Sequence, residues 1–123
     1  MSSLKLSAFG LPVTGEPEVF HPQPDRLVSG NPRRDTWSAV ETGLAGASRF
    51  YSGVWRSEVG HWRIAMGPSE QEVFTVVEGR CRVHGSDGQV QEAGPGQAIH
   101  IPPGFAGSFE VLETLTKVYV ITE

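Results

Sequence analysis

From residue 36 to the end, apolar and polar residues change places every one or two positions, and turn-forming residues break the pattern at short intervals. The spacing predicts strands over 36–42, 48–57, 60–66, 71–78, 80–85, 88–92, 96–101, 105–112 and 114–122. Runs this short, rich in Val, Ile, Phe and Thr, fit the two-residue side-chain period of a strand. Between 84 and 89 the stretch "HGSDGQ" places Asp87 and Gly88 between two such runs. That is a hairpin turn, because glycine accepts the positive φ it demands. Short strands with close turns predict an all-β sandwich or a jelly-roll barrel.

The run 71–78 raises the first chemical question. Alternation puts Glu72, Phe74 and Val76 on one face, and Val73, Thr75 and Val77 on the other. Both faces are apolar, so both should be covered. One lines a barrel interior and the other meets a second sheet or subunit, and a homodimer is the simplest way to hide it. Glu72 then heads the inward face. A buried carboxylate needs a cation or a proton, and Lys117, Arg63 and Arg82 are the candidate partners.

Composition narrows the class. The chain has 123 residues, the size of one domain, and its 15 glycines and 9 prolines break it too often for long helices. Pro12, Pro17, Pro22, Pro24 and Pro32 fall in the first 35 residues, which show no sustained period. This predicts an extended N-terminal arm over 1–35 and a barrel domain over 36–123. The net charge of −4 comes with no basic stripe, and Arg33-Arg34 is too small for a phosphate footprint, so nucleic acid is not an expected partner. No run is long and apolar enough to span a bilayer, and the start has no signal-peptide pattern. A cytoplasmic protein without a membrane partner is expected. Cys81, the single cysteine, alternates with Val83 against Arg80 and Arg82 and reads as a packed thiol.

Two spacings carry a family resemblance. Gly60, Met66, Pro68, Glu72 and Gly79 fall on the positions Gly, His, His, Glu and Gly of the first cupin motif. Gly96, Pro102, Gly104, Gly107 and Val111 fall on Gly, Pro, Gly, His and Asn of the second. The chain therefore resembles the cupin superfamily of small jelly-roll barrels. Through "GVWRSEVGHWRI", "EVFTVVEGRCRV", "IPPGFAGSFEV" and "TKVYVI" it looks most like single-domain relatives of ureidoglycine aminohydrolase. That resemblance implies a pocket at the open end of a barrel, commonly in a dimer, and in metal-binding members a divalent ion. Here the ligand positions hold Met66, Pro68, Glu72 and Gly107. Three of those four offer no useful donor to a hard or borderline cation, so no metal cofactor is expected.

The inward face suggests a mostly apolar cup lined by Trp62, Ile64, Met66, Phe74, Phe105 and Phe109. Gly107 is expected to leave room there. His100 is the histidine best placed to reach the cup, whereas His61 and His84 read as outward. Lys117 and Tyr119 share a strand face, and the resemblance implies that both lie in or near the pocket. Glu72 and Lys117 are the candidate catalytic pair; Trp62, Met66, Phe74, His100, Phe105, Phe109 and Tyr119 are the candidate ligand contacts. The reading that follows is a metal-independent cupin that binds a small polar metabolite. A ureidoglycine aminohydrolase-like, metal-dependent C–N hydrolase and a non-catalytic structural or regulatory dimer are the alternatives.

Overall fold

A computed structural model describes residues 4–43 and 48–123. Among the described residues, nine strands form one curled sheet: β1 (Glu18–Phe20), β2 (Leu27–Ser29), β3 (Arg34–Thr42), β4 (Phe50–Ser57), β5 (Gly60–Ala65), β6 (Gln71–Gly85), β7 (Val90–Ala93), β8 (Ala98–Ile101) and β9 (Ala106–Thr122). The described helical structure is a single 3-10 turn, Pro24–Arg26. The molecule is the all-β jelly-roll barrel that the strand spacing predicts.

β9 is the spine. Its second half pairs antiparallel with β4, from Leu115 opposite Ser57 to Thr122 opposite Phe50. Its first half pairs with β5 on the same edge, from Ala106 opposite Ala65 to Val111 opposite Gly60. Along its other edge it pairs with β6, from Gly107 opposite Gly85 to Thr122 opposite Gln71. β3 continues the sheet beyond β4, with β1 at its edge, and β2 pairs with β5. The proline-rich N-terminal segment thus contributes β1 and β2 to the sheet.

The strand count agrees with the sequence reading, but the strands differ. The runs 71–78 and 80–85 are one strand, and so are 105–112 and 114–122. Gly79 reads as a turn in sequence. It has a φ of +86° and sits instead in a bulge, where register shifts run from Val76 to Cys81. The bulge changes the parity of the inward face. Before it, Glu72, Phe74 and Val76 are buried; after it, Cys81 and Val83 are. A side chain at Gly79 would collide with the Thr114 carbonyl, so the close approach of β6 to β9 requires glycine there.

The core is the inner face of this curl. Trp62, Phe74, Val76, Cys81, Ile101, Phe109, Val111 and Leu115 are all buried within it. Burial pushes the Cys81 thiol up to about 11, so it is a packed, unreactive group. The outer face of β6 is open: Val73 is 46% exposed and Val77 37%.

Gly107 does not leave room in the cup. A Cβ there would strike the His84 carbonyl on the paired strand β6. Its glycine serves close backbone approach, a role that the motif spacing alone does not distinguish from a vacated side-chain position.

Candidate functional site

Strand pairing brings the ionisable pair together. Lys117 lies opposite Trp55 on β4 and opposite Val76 on β6. Glu72 lies opposite Ile121, further along the same ladder. Both point to the inner face, and Lys117 runs along it until its Nζ donates to Glu72 Oε2 at 2.8 Å. The lysine is 6% exposed and the glutamate 9%. Of the three cations that the sequence offers to Glu72, the fold selects this one. Arg82 is bonded to Glu92, and Arg63 donates to the Asp25 carbonyl.

Three aromatic rings surround the ammonium. Its Nζ is 4.3 Å from the centroid of Phe74, 4.4 Å from Trp55 and 4.8 Å from Phe109. A desolvated cation–π contact is worth roughly 2 kcal/mol, so ring faces and carboxylate together offset the loss of water around the charge. The rings also hold one another. Trp62 stacks on Phe109 at 5.4 Å, and Trp55 meets Phe109 edge-on at 5.8 Å.

This assembly forms one wall of a cavity of about 410 Å³. Of the candidate residues, Trp62, Met66, Glu72, Phe109, Lys117 and Tyr119 line it. Phe74 lies fully buried against the Lys117 ammonium. The structure places His100 and Phe105 elsewhere. His100 alternates with the buried Ile99 and Ile101, so its ring faces outward and its Nε2 meets Gln71 Oε1 at 2.8 Å. Phe105 lies in the turn between β8 and β9, where it lines a separate cavity of about 60 Å³ with His100. Tyr119 is buried, and burial raises the pKa of its hydroxyl against the opposing effect of a hydrogen bond with Ser38.

Two cavity residues have no sequence signature. Trp55 sits mid-strand in β4, and only the β4–β9 register puts its ring over Lys117. Arg34 begins β3 and packs its guanidinium over Trp62, 5.1 Å from the ring centroid. Burial lowers the pKa of that guanidinium. It was hidden in the proline-rich stretch, where no period points to a face.

The residues do not fit a divalent metal. At the motif positions, Glu72 is the single carboxylate, and Lys117 already holds one of its oxygens. Met66 supplies a thioether, Pro68 no donor, and Gly107 turns toward β6. Among the described residues, no group of three His, Cys, Asp or Glu side chains could hold an ion. The positive charge that balances Glu72 is covalently part of the chain.

Residues 44–119 match the family described as EutQ-like cupin domain. Solved structures agree in fold. A protein of unknown function from Pseudomonas syringae pv. tomato superposes with a TM-score of 0.69 at 20% identity, over 96% of this chain and 45% of its own. The chain thus spans less than half the length of that relative. The EutQ protein of Clostridium difficile gives 0.58 at 24% identity, over 79% of this chain and 75% of its own. Ectoine synthase from P. lautus gives 0.58 at 11% identity, over 72% of this chain and 62% of its own. No curated protein matches the sequence. Among the described residues, no helix is long and apolar enough to cross a membrane.

Proposed function

This chain belongs to the EutQ-like cupin domain family, and from that premise we propose that its cup binds a small polar metabolite without a metal ion. The observation that carries the reading is the buried Glu72–Lys117 pair, set against an open cavity of about 410 Å³. A buried ion pair costs desolvation that a pair of apolar residues would avoid, so stability alone is a weak reason to place one beside a void. As a ligand grip it has a clear use. Lys117 has two further N–H donors, and Glu72 has a second oxygen free to accept. The aromatic walls take the apolar body of the ligand.

Catalysis by this pair would be proton transfer, with Glu72 as base and Lys117 stabilising an oxyanion. The likeness to the ureidoglycine aminohydrolases rests on sequence motifs. A C–N hydrolase reading would need a different activator of water, since the donors for a metal do not converge.

A metabolite library screened by thermal shift tests the proposal. A ligand present at 100 times its Kd adds about 2.7 kcal/mol to stability, a readily measured rise in Tm. At least one small polar compound should raise the Tm of the native protein, and Glu72→Gln should abolish the rise while remaining folded. If every hit acts equally on Glu72→Gln, the ligands do not use the cup.

A further inference from the structure

The cup contains a second cation that the Glu72–Lys117 pair leaves untouched. Arg34 lines the cavity from the start of β3 with its guanidinium over the Trp62 ring. Its Nε is buried and has no hydrogen-bond partner. None of the ion pairs among the described residues includes it. Its sequence neighbour Arg33 behaves differently, bonding Asp35 at 2.9 Å at the surface. A buried donor left unsatisfied is costly, and a charged one more so. The contact with Trp62 is a cation–π contact through the ring face, which uses no N–H hydrogen bond and leaves the Nε–H for an acceptor. The guanidinium N–H groups form the planar fork that matches a carboxylate.

On its far side Arg34 meets further cations. Arg34 also walls an adjoining cavity of about 240 Å³ that Arg26 and Arg63 line. Glu18 and Glu41 lie on the cup wall too, but both are exposed, where water and salt screen them. Trp62, Trp55 and Phe109 supply flat rings to the same cavity, and they contact one another.

We propose that Arg34 is the anion anchor of the cup, and that the ligand is an organic carboxylate with a flat apolar body. The carboxylate meets the Arg34 fork beside Trp62, and the body lies along the aromatic wall toward Lys117 and Glu72. The proposal rests on the reading of the cup as a small-molecule site and names its ligand class.

Matched acids and amides provide the test. Benzoate, phenylacetate and cinnamate, each against its primary amide, are titrated into the full chain while its tryptophan fluorescence is followed, to which Trp55 and Trp62 of the cup contribute. At least one acid should bind about 10- to 100-fold more tightly than its amide, the usual margin for a charge-assisted hydrogen bond. Arg34→Met should erase that margin with the amide affinity unchanged, and Arg34→Lys should restore part of it. Arg33→Met should leave the margin intact. Because Arg34→Met removes an unsatisfied buried donor, its Tm should equal or exceed that of the parent. Amides that bind as well as acids, or an acid preference that survives Arg34→Met, would overturn the anchor while leaving the cup reading in place. If neither acids nor amides bind at millimolar concentration, the anchor proposal fails, and the cup reading then stands or falls on the thermal-shift screen.

Discussion

At the scale of single residues, Lys117 is the cation that faces Glu72 on the inner face of the sheet. The pair should therefore act as a unit. Lys117→Met strands Glu72 without its cation, and breaking one side of a buried pair costs about 3–5 kcal/mol. Removing both charges, as Glu72→Gln with Lys117→Met, should recover most of that loss. Urea denaturation of the two single variants and the double variant measures the coupling. Simple additivity would show that the two side chains are independent. The sequence made Glu72 and Lys117 readable because each stands out in an apolar strand. Trp55 and Arg34 were not readable in that way. An aromatic in a strand is ordinary, and its contact with Lys117 depends on a register that only the folded sheet sets.

At the scale of elements, the long strands β6 and β9 hold the site, and the bulge at Gly79 makes β6 continuous. Alternation predicted the inward face correctly on each side of it. What alternation could not show was that one strand crosses from even to odd inward positions, because a glycine with positive φ looks the same in a turn and in a bulge. Gly79→Ala should cost about 1–3 kcal/mol, from strain at that φ, and more if the Thr114 carbonyl cannot withdraw. An unchanged midpoint in thermal denaturation would show that the bulge relaxes without cost.

The outer side of the same strands, with the neighbouring β5, should make stability respond to pH. His61 of β5 bonds Ser108 of β9 at 2.7 Å, and its ring lies 5.1 Å from that of His84, which meets Glu110 at 2.8 Å. Burial lowers the pKa of His61, with smaller opposing and reinforcing effects from Glu110, His84 and Arg63. The unfolded chain then takes up this proton more readily than the folded one. The His61 contribution is present above the ordinary histidine pKa and is lost as pH falls through the lowered folded value. Stability should drop as pH falls below the ordinary histidine pKa of about 6.5, and His61→Gln should shrink that drop. Equal pH profiles for the two proteins would remove His61 as the cause. Glu92, held low by Arg80 and Arg82, acts in the same direction only at more acid pH.

At the scale of the whole molecule, the outer face of β6 around Val73 and Val77 presents apolar surface to water. We expect a second copy of the chain to cover it. Val73→Glu should then convert a dimer to a folded monomer in light scattering at micromolar concentration, and a native protein already monomeric there would end the idea. The cup lies on the inner face of the same strand, where Glu72 alternates with Val73. Lys117 supplies the cation that Glu72 faces there, which leaves a metal no role at this carboxylate. Elemental analysis of the purified protein checks this. We predict no stoichiometric Mn, Fe or Zn in the native protein, and no change in metal content for Glu72→Gln. One such ion per chain, lost when Glu72 is replaced, would contradict it.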